Sequence, residues 1–174
     1  MKLLVDGYNL LHASGVFGHP SDPPTFETAR RALLDLLAQQ LTEKDRKQTT
    51  VVFDGKDAPP GLPSQLSFER ISVLFSRRKT TADELIADLI AAEKQPRQLL
   101  VISSDHAVQR AARQRGVAHQ DSELWIRDLR QQAAAATSTT ENRDHPQSAE
   151  DIAHWVKEFA PPPAANRNKP PAGK

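Results

Sequence analysis

The chain has 174 residues, 23 of them basic, 22 acidic and none cysteine, which is room for one compact domain at roughly 150 residues per domain. The missing thiol excludes a disulfide scaffold, Cys-ligated zinc and thiol catalysis. A net charge of +1 with a pI of about 8.1 excludes a histone-like polycation, so only local charge can point to a partner.

Lys2 leads into Leu3, Leu4 and Val5 and the run stops at Asp6. That is too short for a secretion signal or a membrane span of roughly 20 apolar residues, so a cytoplasmic protein with no membrane partner is expected. Short, nearly continuous apolar runs recur at residues 3–5, 51–53, 71–75 and 99–102, with a weaker one at 117–119. Runs of this kind suit parallel strands covered on both faces. Helical stripes lie between them: Ala29, Leu33, Leu36 and Leu37 after a proline-containing start signal; Leu85, Ile86, Leu89 and Ile90; then Ala107, Val108, Ala111 and Ala112. A last helix starts near Ser122 and carries Leu124, Trp125 and Leu129. The link 54–70, with three prolines, is expected to be a surface loop. Alternating strands and helices predict an α/β three-layer domain with a mainly parallel central sheet over residues 1–130.

Beyond that point the composition changes. Residues 131–147 are expected to form a linker, although 131–136 can extend the preceding helix. Residues 148–160 are expected to form an amphipathic helix in which Ile152, Trp155, Val156 and Phe159 share a face. Residues 161–174 are Pro-rich, basic and expected to be disordered. Much of the proline count (13 against 7 glycines) and of the low mean hydropathy, −0.57, comes from this end.

The acids are the informative feature. Asp6 directly follows the first strand and Asp54 the second, and Asp105 follows the fourth after Ser103 and Ser104. In an open parallel sheet the carboxyl ends of the strands line the ligand crevice, so topology alone delivers three acids to one edge. Asp83 precedes its helix's apolar stripe and sits roughly 90° from the stripe's centre. It therefore faces along the sheet edge, while Glu84 and Asp88 face water. Each acid has a plainer reading as well. Asp105 suits an N-cap and Asp54-Gly55 a turn, and Thr81 with Glu84 fits a capping box. Asp6 is the least ordinary, since an acid ending a buried strand has no routine structural task.

Two carboxylates about 5 Å apart repel by roughly 3 kcal/mol at an effective dielectric of about 20. Such a cluster calls for a cation or for protonation of some members. Oxygen-only ligands favour Mg²⁺ or Mn²⁺ over zinc. The six histidines show no zinc-site spacing, with His12 kept as a weak alternative ligand because it lies near Asp6.

Asp6-Gly7-Tyr8-Asn9-Leu10, Phe53-Asp54-Gly55, Thr81-Ala82-Asp83-Glu84 and Ser103-Ser104-Asp105 occur in this order. Together they resemble the YacP-like branch of the NYN domains, from Met1 to about Arg130. The resemblance implies a PIN-like nuclease fold and metal-dependent ribonuclease activity. It carries over Asp6, Asp83 and Asp105 as metal ligands, Asp54 as a fourth acid, and Asn9 as a residue that orients the site or contacts phosphate.

The expected activity is an endoribonuclease hydrolysing phosphodiesters with Mg²⁺ or Mn²⁺, which needs no protein nucleophile. Ser104 is a candidate hydrogen-bonding support or a plain cap. Arg77, Arg78 and Lys79 at the exit of the third strand, with Lys56 and Arg70, are candidate RNA-binding cations, and Tyr8 is a candidate base-stacking ring or a packing residue. The rival reading is a catalytically weak adaptor on the same fold that binds RNA or the ribosome. The helix at 148–160 is a candidate protein-docking element.

Overall fold

A computed structural model describes residues 1–15, 26–55, 64–77 and 79–141. Its centre is a six-stranded sheet built from β1 (Lys2–Asp6), β2 (Thr49–Phe53), β3 (Gln65–Phe68), β4 (Ile71–Phe75), β5 (Leu99–Ile102) and β6 (Ala118–Gln120), in the spatial order β3-β4-β2-β1-β5-β6. Every pairing is parallel except the β3–β4 hairpin at one edge. The chain builds outward from β1 to β2 and β4, then returns to place β5 on the other side of β1. That reversal creates the crevice at the carboxyl ends of β1 and β5 where open α/β sheets bind ligands.

Both faces of the sheet are covered. One carries α1 (Gly7–Ser14), α2 (Phe26–Gln40) and the start of α6 (Ser122–Glu141), whose Leu10, Leu11, Leu33, Leu37, Trp125 and Ile126 pack with Leu3, Val5, Val51 and Phe53. The other carries α4 (Ala82–Ala92) and α5 (His106–Arg115), whose Ile86, Ile90, Val108 and Ala112 pack with Leu4, Val52, Leu99 and Val101. Adjacent strand residues such as Leu3 and Leu4 thus enter different cores, which explains why the strands look continuously apolar in sequence.

The strands and helices expected from periodicity are present, with four differences. The link after Asp54 is not all loop: Gln65–Phe68 pairs antiparallel with β4 through a tight turn in which Glu69 and Arg70 both have positive φ. Helix α1 and the one-turn α3 (Glu43–Arg46) were not legible as apolar stripes, being too short to show one. On α6, Ile126 takes the buried place expected for Leu124, which is 46% exposed. Residues 131–136 extend α6, as the linker reading allowed, and the helix runs on through 137–141, expected as linker. One compact unit spans Met1–Ala133 and a second begins at Ala134. The expected helix at 148–160 and tail at 161–174 lie outside the described residues. No helix among the described residues is long and apolar enough to cross a membrane.

Gly7 starts α1 in very tight quarters. A Cβ there would overlap the buried Phe53 ring and the Val52 carbonyl oxygen. Gly7→Ala is accordingly expected to lower the urea midpoint by an amount equivalent to about 1–3 kcal/mol with the slope unchanged. An unchanged midpoint would show that the Phe53 ring can move aside.

Candidate active site

Strand ends and helix starts meet at the carboxyl edge, and the acids are concentrated there. Asp6 ends β1 and is 1% exposed. Its side chain caps α1: Oδ1 accepts the Asn9 backbone N–H at 3.1 Å, and Oδ2 accepts the Asn9 amide Nδ2 at 2.6 Å. Capping α1 is a structural task for the acid at this strand end, one that its place in the strand does not reveal. Oδ2 also accepts the Ser103 hydroxyl at 2.9 Å. Ser103 Oγ in turn accepts the Asp105 backbone N–H at 3.0 Å, and the Ser103 carbonyl accepts Gln109 Nε2 at 2.9 Å. One serine therefore ties the end of β1 to the start of α5.

Asp105 caps α5 through Oδ1, which accepts the amides of Ala107 at 2.6 Å and Val108 at 3.1 Å. Its second oxygen accepts no hydrogen bond from the described residues. On the other side of β1, Asp54 follows β2 and receives the Ser76 hydroxyl at 3.4 Å, while Ser76 Oγ accepts the Gly55 N–H at 3.0 Å. A Cβ on Gly55 would overlap the Ser76 carbonyl oxygen, so glycine permits this close approach of the β2 and β4 exits. Asp83 lies in the first turn of α4, whose N-cap Thr81 and Glu84 form the expected reciprocal capping box.

The electrostatics bring these four acids together. Burial pushes the Asp6 carboxyl above its ordinary value; its bonds from Asn9 and Ser103 oppose the rise and the charge of Asp105 adds to it. Asp83 is exposed as a residue, yet its carboxyl is also held high, first by partial desolvation and then by the charges of Asp6, Asp105, Asp54 and Glu84.

Among the described residues no three acid or histidine side chains converge closely enough to hold an ion between them. Asp6, Asp83 and Asp105, expected from sequence as metal ligands, stand at one sheet edge without closing around a common point. The donor set still suits Mg²⁺ or Mn²⁺: it is all oxygen, Asp105 has an uncommitted atom, and the mutual repulsion at Asp83 is what a cation relieves. Mg²⁺ commonly takes only one or two carboxylates and keeps several waters.

The remaining candidates divide. Asn9 orients Asp6, as described. The hydroxyl of Ser104 does not reach the acids but accepts the Ser122 N–H at 3.2 Å, supporting the start of α6; the residue that bonds Asp6 is its neighbour Ser103. Tyr8 packs edge-on between Phe26 and Phe53, at centroid distances of 5.8 and 5.7 Å. His12 is exposed and joins no group of three or more acid or histidine side chains that could hold an ion among the described residues. Arg77 and Lys79 are exposed between β4 and α4, on the edge that carries the acids. Arg70 is not: it precedes β4, at the opposite end of the sheet, and its guanidinium lies 3.5 Å from Glu43. Lys56 and Arg78 fall outside the described residues. The sequence reading also missed Ser76, and it missed Asp121, which follows β6 and caps α6 by accepting the Glu123 N–H at 2.9 Å.

The model of the YacP-like NYN domain family matches residues 3–159, extending past Arg130. The protein YacP of Bacillus subtilis (strain 168) is 30% identical over 130 residues, 73% of this chain and 74% of that one. The crystal structure of Rae1 (YacP) from Bacillus subtilis is similar at a TM-score of 0.55 and 27% identity, covering 91% of this chain and 90% of its own. A tryptophan-to-leucine mutant of Rae1 gives 0.57 at 24% identity, covering 91% and 92%, a likeness of fold.

Two outcomes test the site's electrostatics. Ser103→Ala leaves a buried carboxylate short of a donor and should destabilise the fold by about 1–3 kcal/mol, measured by denaturant unfolding. Both raised acids bind their protons more tightly in the folded state than in the unfolded chain. Their charged forms therefore weigh against folding above the raised values, and the penalty disappears as pH falls below the ordinary value of 3.8. With chelator present, Asp83→Asn should raise Tm at pH 7, with the gain shrinking on acidification; a lower Tm at pH 7 contradicts the repulsion.

Proposed function

This chain belongs to the YacP-like NYN domain family, and on that footing we propose that it is a Mg²⁺- or Mn²⁺-dependent endoribonuclease. The family's PIN-like nuclease fold carries an RNA-related nuclease function in general; the metal, the endonucleolytic hydrolysis and the residue roles are our reading. What supports it most is the placing of Asp6, Asp54, Asp83 and Asp105, borne by four separate segments of the chain, at one edge of the sheet, where the charges of the other three bear on Asp83.

Asp6, Asp83 and Asp105 would hold the cation, directly or through its waters, with Asp54 as a fourth acid. When bound there, the cation supplies charge neutralisation at phosphate oxygens and a water of lowered pKa. The chain's own part is preorganisation. Asn9 and Ser103 fix the Asp6 carboxylate on a rigid strand end, so its position need not be found during reaction. Ser103 also fixes the backbone of Asp105, and Ser76 supports Asp54. Arg77 and Lys79 supply positive charge to an RNA backbone that the acids alone would repel.

The adaptor reading, with RNA or the ribosome as partner, has one observation in its favour: no three acids among the described residues converge tightly. Incubating labelled single-stranded RNA with the full chain in Mg²⁺, Mn²⁺ or EDTA separates the two. Cleavage is expected with either ion, none in EDTA, and a loss on the order of 10²-fold or more in Asp6→Asn. RNA binding without metal-dependent cleavage in the unaltered chain establishes the adaptor instead.

A further inference from the structure

A cleft of about 370 Å³ opens beside the acid row, between the β3–β4 hairpin and α4. Leu74, Phe75 and Leu85 supply its apolar surface, Gln65 and Thr80 part of its polar lining, and Arg77 and Asp88 its charges. Its size falls within the roughly 300–1,000 Å³ of small-molecule sites. It adjoins the acids through the backbone: Arg77 directly follows Ser76, the residue whose hydroxyl bonds Asp54.

Arg77 and Asp88 line one cleft yet form no ion pair with each other or with any other described residue. Two opposite charges that share a cleft without meeting can be bridged by a ligand carrying an anion at one end and hydrogen-bond donors at the other. A nucleotide has this form. A guanidinium matches phosphate oxygens. A carboxylate accepts only, through two oxygens side by side. Among the four RNA bases, guanine alone presents two adjacent N–H donors, N1–H and N2–H, on its Watson–Crick edge. Single-stranded RNA exposes that edge to protein.

We propose that this cleft is a guanine-selecting subsite, in which Asp88 accepts the N1–H and N2–H of one base and Arg77 binds its flanking phosphate beside the acid row. The proposal rests on RNA being the substrate, as argued above, but on no step of cleavage. The base lies against Leu74 and Leu85, with the exposed Asp88 carboxylate at its Watson–Crick edge. Asp88, placed by its helix position on the solvent side, thereby gains a task distinct from those of Asp83 and Glu84.

The test is equilibrium binding of the full chain, in EDTA, to labelled seven-nucleotide RNAs of uridine with a central G, A, C or U. The G-centred RNA should bind about ten-fold tighter than the other three. Asp88→Asn, which replaces one acceptor with a donor, should abolish that advantage. Arg77→Ala should weaken all four about equally and lower the salt slope by about one. Equal binding of the four, no binding of any, or a guanine advantage intact in Asp88→Asn overturns the proposal. Digestion with Mn²⁺ keeps the two readings apart. Guanine preference without cleavage leaves the subsite and removes the nuclease, whereas cleavage without preference does the reverse.

Discussion

A carboxylate taken out of water at the end of a central strand is tolerable only if its oxygens are bonded, because an unpaired buried charge costs several kcal/mol. Asp6 meets that condition with partners from two places: Asn9, three residues on in the same chain segment, and Ser103, 97 residues away. The second partner exists because β1 lies beside β5 in a register that pairs Val5 with Ile102, so the next residue of each strand also meets. The same arrangement recurs one strand over. Phe53 pairs with Phe75, and the residues that follow are Asp54 and Ser76, again a carboxylate and a hydroxyl. Parallel strands in register convert two strand-end acids into two supported, directed groups, and the site depends on that register more than on any loop.

The arrangement works against folding stability. Desolvation raises Asp6, and desolvation with neighbouring charge raises Asp83. An alanine or asparagine at Asp83 would suit the fold better, since Thr81 and Glu84 already cap α4 without it. Acids that also cap helices, Asp6 and Asp105, recover part of what they lose by satisfying amides at a positive helix end. The structural role and the proposed chemical role therefore fall on the same two positions, and weighing one against the other residue by residue separates them poorly. Asp83 neither caps its helix nor receives a strand-end hydroxyl as Asp54 does, which makes it the acid whose presence the fold explains least.

The positive residues show how strongly position in the sheet decides meaning. Arg70 and Arg77 flank the same five-residue strand, β4. A parallel strand separates its ends onto opposite edges, so Arg77 joins the acids while Arg70 pairs with Glu43 at the far side. In sequence both are simply basic residues near an apolar run.

Much of this was legible in one dimension. The apolar runs located the core strands, the 3.6-residue stripes located α2, α4, α5 and α6, and the Thr81–Glu84 spacing set the start of α4, because each pattern is local and repeats within a few residues. The placing of acids at strand ends was local too and singled out Asp6, Asp54 and Asp105 as candidates, while Asp83 was singled out by its angle on its helix. Helix α1 was marked by nothing but Asp6 and Gly15 at its ends, and β3 was hidden behind prolines in a segment too short to show alternation. What tertiary structure alone decided was which strands are neighbours and in what register. That choice put Ser103 rather than Ser104 on Asp6, Ser76 on Asp54, and Arg70 out of reach, because hydrogen bonds between strands join residues whose separation in sequence carries no periodic trace.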